Sequence, residues 1–245
     1  MTDVQRTLSG DVKQRYVKPD ECQVVADTNK TPAENQAQGP DCEADPDACG
    51  VQTPPDNGSC DPLCTPIVLD LDHNGLHLTG LDDPVVFDLD GNGVTEISAW
   101  TAPGTADAFL ALDRNGNGWI DDGRELFGNG TLLASGVPAE HGFAALAELD
   151  SPDLGGNGDG FVDAADAGYP ALRVWVDSNH NAVSEPWELA TLSSAGVLAI
   201  DLDYTENRRR DPHGNLLGLN SWAWIDRRPR PQRIQVVDVV FVTAH

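Results

Sequence analysis

The chain has 245 residues, room for one large domain or two small ones, with 40 acidic residues against 15 basic ones and a formal net charge of −25. Such a charge repels phosphate backbones and anionic membrane surfaces, which excludes nucleic acid as a natural partner, and it repels itself in a compact state unless cations offset it. No run of 18 apolar residues occurs, so no transmembrane helix or membrane insertion is expected.

Residues 1–65 read as a tether, disordered or held by disulfides, because polar and proline-rich stretches such as Gln52-Thr53-Pro54-Pro55-Asp56 carry no apolar periodicity. Met1 to Asp11 lacks the apolar core of a secretory signal. Export without such a signal, a leader absent from this form, and a cytosolic chain are the three readings of that start. Cys22, Cys42, Cys49, Cys60 and Cys64 all fall here, among Pro, Asp, Gly and Asn. Thiols in such surroundings suit disulfides and an oxidising compartment. Zinc at Cys60 and Cys64 is the competing reading, although Cys42 and Cys49 do not form a matching second pair.

Order is expected from Pro66. Ile67–Asp72, Val85–Asp90 and Phe109–Asp113 read as short strands that each run into a polar loop. Gly142–Leu149 has helical spacing and good helix formers. Leu172–Asp177 reads as a further strand entering a loop, and Trp187–Leu192 as a helix leaving one. Val197–Asp203 alternates as a strand does, and Ile234–Val242 is the clearest strand of all. The expected organisation is a calcium-binding domain over 66–203, then a C-terminal β-hairpin over 204–245 packed on it. The fold class expected is α+β, with short strands and helices around EF-hand-like loops and a C-terminal β segment.

The pattern Asp-x-[Asp/Asn]-x-[Asp/Asn]-Gly recurs, with local departures, five times behind these apolar stretches. Calcium takes six to eight oxygens at about 2.3–2.6 Å, and a loop offering oxygens at positions 1, 3 and 5, a backbone carbonyl at 7 and further oxygens at 9 and 12 can wrap one ion. The fifth loop has Asp177, Asn179 and Asn181, then Val183 at position 7, Glu185 at 9 and Glu188 at 12, with Ala182 where glycine is usual. The third has Asp113, Asn115, Asn117, Trp119 and Asp121; Arg124 stands at position 12 and Glu125 follows it. The fourth has Asn157, Asp159, Phe161, Asp163 and Asp166, with its first ligand displaced to Asp153 or Asp150. The second is shorter, with Asp88, Asp90, Asn92 and Glu96. The first has Asp70, Asp72 and Asn74 but leucines at positions 9 and 12, so that Asp82 or Asp83 would have to complete it. A single such loop is equally an ordinary turn, since Asp, Asn and Gly favour turns; five in register are not explained that way.

His73 and His180 occupy position 4 of their loops and read as solvent-facing fillers rather than transition-metal ligands. No nucleophile elbow, phosphate-cradling loop or His-Glu-x-x-His segment occurs, so no catalytic residue is assigned. Arg208–Arg210 and Arg227–Arg230, with Trp222 and Trp224 between, read as a solvated basic hairpin that balances the acidic body.

Pro66–Asp72, Leu112–Gly118, Ile120–Gly128 with its Asp-Asp-Gly-Arg-Glu-Leu-Phe-Gly core, and Leu172–Trp175 followed by a loop resemble the calcium-binding region of secreted bacterial FrpC-like proteins related to RTX toxins. The resemblance covers residues 66–203. It implies an extracellular, calcium-dependent, EF-hand-like module with a structural, adhesive or assembly role, whose partners are calcium ions and another protein or a cell-surface polymer. In some members the region cleaves an Asp-Pro bond just before the Pro-Leu-x-Leu-Asp-Leu-Asp run. Here Thr65 precedes Pro66, and Asp61-Pro62 is the nearby Asp-Pro bond. The fourth and fifth loops are also similar to the paired loops of dockerins, which implies a protein partner on a loop–helix pair over 157–192.

Overall fold

The structure, a computed structural model, describes residues 65–244. The cysteines, Asp61-Pro62 and nearly all of the expected tether lie outside those residues.

Among the described residues there are twelve strands: β1 Ile67–Asp70, β2 Val85–Phe87, β3 Glu96–Ser98, β4 Asp107–Ala111, β5 Phe161–Asp163, β6 Arg173–Trp175, β7 Leu189–Thr191, β8 Val197–Asp201, β9 Thr205–Arg210, β10 Leu216–Ile225, β11 Gln232–Val240 and β12 Thr243–Ala244. Among the described residues one α-helix accompanies them, α1 Gly142–Ala147, with three single 3-10 turns. The expected α+β class is therefore overturned: the domain is mostly β, a curled antiparallel sheet. The helix expected over Trp187–Leu192 is the strand β7, paired with β6 in the register Trp175↔Leu189. Four of the loops thus leave strands, the fourth leaves the 3-10 turn Glu148–Asp150 that continues α1, and no helix follows the fifth, so the loop–helix pair of the dockerin likeness is absent.

The large sheet runs β5-β8-β10-β11-β1-β4-β6-β7, and β9 pairs with β10 beside β8. The C-terminal strand β11 lies at its centre, hydrogen-bonded to β1 with Ile67 opposite Asp238. Both faces of the central strands are buried, which is why β1 and β4 read as continuous apolar runs instead of alternating ones. Ile67, Leu69, Leu110 and Val236 point to one face, where Phe127 and the Phe143 and Leu146 of α1 cover them. Val68, Phe109, Trp175 and Val237 point to the other, under Phe87 and Trp100. That second face is roofed by a small sheet, β12-β3-β2. Its centre is an aromatic cluster in which the Trp100 ring lies 4.3 Å from Phe109 and 5.7 Å from Trp175 between ring centroids.

Helix α1 begins on two substitutes for an ordinary cap. His141 Nδ1 accepts the Ala144 N–H at 3.1 Å, and the buried Asp238 carboxylate accepts the Gly142 N–H at 2.6 Å. A side chain at residue 142 would come within 2.6 Å of both Ile67 and the Phe127 carbonyl, so only glycine fits there.

Candidate functional site

Four of the Asp/Asn/Gly loops hang from the ends of strands and the fourth from the 3-10 turn Glu148–Asp150 after α1, and all five share one backbone path. Their fourth residues are left-handed: His73 (φ 62°), Gly91 (71°), Gly116 (75°), Gly158 (72°) and His180 (60°). So are their sixth: Gly75 (95°), Gly93 (89°), Gly118 (89°), Gly160 (88°) and Ala182 (55°).

In each loop the leading aspartate accepts the backbone N–H groups of the fifth and sixth residues, one on each oxygen. Asp70 takes Asn74 and Gly75; Asp88 takes Asn92 and Gly93; Asp113 takes Asn117 and Gly118; Asp177 takes Asn181 and Ala182; all at 2.8–3.2 Å. In the fourth loop Asp150 does this, taking Asp159 at 3.2 Å and Gly160 at 2.9 Å. Asp153 stands exposed in the neighbouring 3-10 turn Pro152–Leu154. Gly156 lets the intervening segment fold back over Asp150, since a Cβ there would lie 2.1 Å from the Asp150 carbonyl carbon.

A second, buried acid closes four of the loops. Glu125 accepts the N–H groups of Arg114 and Asp121 at 2.9 Å each, and Asp166 those of Asn157 at 3.2 Å and Asp163 at 2.8 Å. Glu188 accepts from Ser178 N at 2.8 Å, and Glu96 from Leu89 N at 2.9 Å. Arg124 turns away from the third loop and pairs with Asp122, Nε to Oδ1 at 3.0 Å. The first loop has no closing acid of its own. Asp82 and Asp83 face His213 and His180 instead, at 3.9 and 3.8 Å. The carboxyl that does abut the first loop is Asp107 of β4, pushed up to about 6 by burial against the opposing His77 N–H, with Asp70 adding to the rise.

The remaining side chains cluster within each loop. Asn92 donates to Asp90 at 2.8 Å, Asn115 and Asn117 to Asp121 at 2.9 and 2.7 Å, Asn157 to Asp159 at 2.9 Å and Asn181 to Glu185 at 2.9 Å. Asn179 lies 3.4 Å from Glu185, and Asn74 donates to Asp72 at 2.7 Å. An amide also carries a carbonyl oxygen, so the same side chains can offer an acceptor to a cation. Trp119, Phe161 and Val183 hold position 7, and their N–H groups bond the side chains of Asn117, Asp159 and Asn181. In the second loop, carboxylate oxygens of Asp88, Asp90 and Glu96 lie within 4.8 Å of one another. Burial, with the neighbouring acids adding, raises the Asp88 and Glu96 carboxyls above their ordinary range. Three converging carboxylates, two of them buried, could hold a hard divalent cation.

His180 is not a solvent-facing filler. Its ring nitrogens sit 3.0 Å from the Thr101 carbonyl and 3.2 Å from that of Asp83, which ties the fifth loop to the roof of the aromatic core. Ser184 Oγ accepts the Ile120 N–H at 2.6 Å, joining the fifth loop to the third at the eighth residue of each.

The SPM domain family model matches residues 67–241. The chain is also 42% identical over 154 residues to the iron-regulated protein FrpA of Neisseria meningitidis serogroup C, a match that covers 62% of this chain and 13% of that protein. Among the described residues no helix is long and apolar enough to cross a membrane.

Proposed function

Because this chain belongs to the SPM domain family, we propose that it is an extracellular calcium-binding module, non-enzymatic, whose fold is stabilised by ions held in its Asp/Asn/Gly loops and whose role is adhesion or assembly. The observation that carries the reading is the common geometry of the five loops: two left-handed residues at fixed places and a leading aspartate holding two N–H groups. In the second loop that path brings oxygens of Asp88, Asp90 and Glu96 within 4.8 Å of one another, close enough to share one ion. The resemblance to secreted FrpC-like proteins, carried by Pro66–Asp72, Leu112–Gly118, Ile120–Gly128 and Leu172–Trp175, supports calcium and an extracellular setting. The chain spans 13% of the length of its FrpA relative, so the purpose of the module inside a larger protein, holding another protein or a cell-surface polymer, is part of the proposal.

Carboxylates left without metal repel one another, so the ions couple to folding. A site filled at a hundred times its dissociation constant adds about 2.7 kcal/mol. A thermal melt of the full chain in calcium and in chelator tests this. A midpoint many degrees higher in calcium is expected; an unchanged midpoint with no calcium uptake overturns the reading. Trp119, at position 7 of the third loop and 40% exposed, is the built-in reporter: its indole should sensitise terbium bound there.

A further inference from the structure

We propose that Asp107 completes a calcium site on the first loop, supplying from β4 the carboxylate that the loop's own sequence lacks. This rests on the calcium reading above and extends it to a residue outside every loop motif.

The first loop offers Asp70, Asp72 and Asn74, but Leu78 and Leu81 fall where the other loops place acids. Asp107 opens β4 directly across the strand pair from Asp70. Its Oδ2 accepts the N–H of His77, within the loop, at 2.7 Å, so the carboxyl is turned toward the loop. The residue is 1% exposed, and its other oxygen, Oδ1, is buried without a well-formed hydrogen bond: the Thr105 hydroxyl interacts weakly with the carboxyl but donates to the Ala102 carbonyl at 2.8 Å. Asp72 Oδ1, on the loop itself, is likewise buried and unpartnered. The exposed His77 ring does not answer for either, since its Nδ1 lies 3.8 Å from Oδ2, the oxygen already satisfied.

Buried polar atoms are nearly always paired, so two orphaned carboxylate oxygens beside one loop call for a partner. Like charges directly opposite on paired strands are unfavourable, as Asp70 and Asp107 are here. A hard divalent cation answers both, and an all-oxygen donor set selects calcium over softer metals. Asp107 also repeats the habit of Glu96, Glu125, Asp166 and Glu188: each is buried and each accepts an N–H of the loop it closes. The strand pairing makes the substitution possible, because the antiparallel register brings the start of β4 to the end of β1.

The test counts ions by mass spectrometry of the intact folded chain in calcium, for wild type, Asp107→Asn, Asp72→Ala and the double variant. Asp107→Asn keeps the volume and an acceptor for His77. Asp72→Ala changes a less buried side chain and serves if Asp107→Asn does not fold. Each single variant is expected to hold one ion fewer than wild type, and the double variant also one fewer, not two. If Asp107→Asn holds the wild-type number, the assignment is overturned while the calcium reading stands. The assignment is overturned in the same way, should Asp107→Asn be unfolded, if Asp72→Ala holds the wild-type number. If wild type itself takes up no calcium, the underlying reading has failed and the Asp107 site with it.

Discussion

The indole N–H of Trp100 donates to Oδ2 of Asp177 at 2.9 Å, so the centre of the aromatic core holds the leading acid of the fifth loop. Both groups are buried, and Asp177 Oδ2 also accepts the Ala182 N–H. Trp175 repeats the arrangement at 3.4 Å with Glu188, the acid that closes the same loop. A hydrogen bond to a charged group is worth about 1.5–3 kcal/mol. Trp100→Phe keeps most of the ring packing and removes the donor, so a loss of about 2–4 kcal/mol is expected once the smaller ring is included. Part of that loss should be visible only in calcium, because a freed Asp177 no longer presents a fixed ligand. Urea unfolding of both proteins, in calcium and in chelator, measures it. Equal losses under the two conditions would show that the indole serves packing alone.

Asp150 and Asp153 are three residues apart and should differ sharply when replaced. Asp150 is buried and accepts Gly158, Asp159 and Gly160 at 2.7, 3.2 and 2.9 Å. Asp150→Ala strands these donors and removes the leading ligand, so a loss of about 2–3 kcal/mol and of one bound ion is expected. Asp153→Ala changes an exposed residue and should stay within about 0.5 kcal/mol. Thermal melts with ion counting separate the two, and a calcium deficit in Asp153→Ala would return the role to that residue.

The loops are legible in the sequence because their chemistry is local: alternate oxygens, with a glycine at the sixth place in four of the five, mark each path within a short stretch, although the fourth loop's leading acid, Asp150, is displaced. Strands β1, β4, β6, β8 and β11 are legible from their apolar runs. The features that escape sequence reading are set by distant partners. Trp187–Leu192 carries residues acceptable to a helix, yet β6 offers it an open edge and makes it a strand. With that pairing the α+β expectation falls. Asp107 sits in no motif, and only the β1–β4 register brings it to the first loop. One signal is present: an aspartate at the head of the otherwise apolar Ala108-Phe109-Leu110-Ala111, where a buried strand has no ordinary use for a charge. His180 reads wrongly as a filler because its contacts, Thr101 and Asp83, are far away in sequence.

Asp238 makes stability depend on pH in the direction opposite to that of a salt-bridged acid. Burial pushes its carboxyl from 3.8 up to about 7, against the opposing Gly142 N–H. The folded state therefore binds a proton that the unfolded state has released between these values, and stability falls as pH rises through that window. The gap corresponds to about 4 kcal/mol. Asp238→Asn keeps an acceptor for Gly142 and cannot ionise. At saturating calcium its stability relative to wild type should climb between pH 4 and pH 7 and level off above. A difference that stays flat with pH would mean that Asp238 is ionised throughout.

Ala182 is the one sixth-position residue that is not glycine, and its φ of 55° is left-handed. The conformation costs an L-residue about 1–2 kcal/mol. Against this the residue is 7% exposed and its methyl belongs to the Trp100 and Trp175 cluster, worth about 0.8 kcal/mol. Replacing it by glycine also frees the unfolded chain, at a cost of about 0.4–1 kcal/mol. These contributions nearly cancel, so Ala182→Gly should leave the midpoint within a few degrees of wild type. Ala182→Val adds branching where neither φ nor the packed ring cluster tolerates it, and should lose about 2 kcal/mol or more, the cost of overpacking a filled core. Melts of the two variants in calcium decide the matter. A large gain in Ala182→Gly would show that the methyl contributes nothing and that strain alone limits the fifth loop.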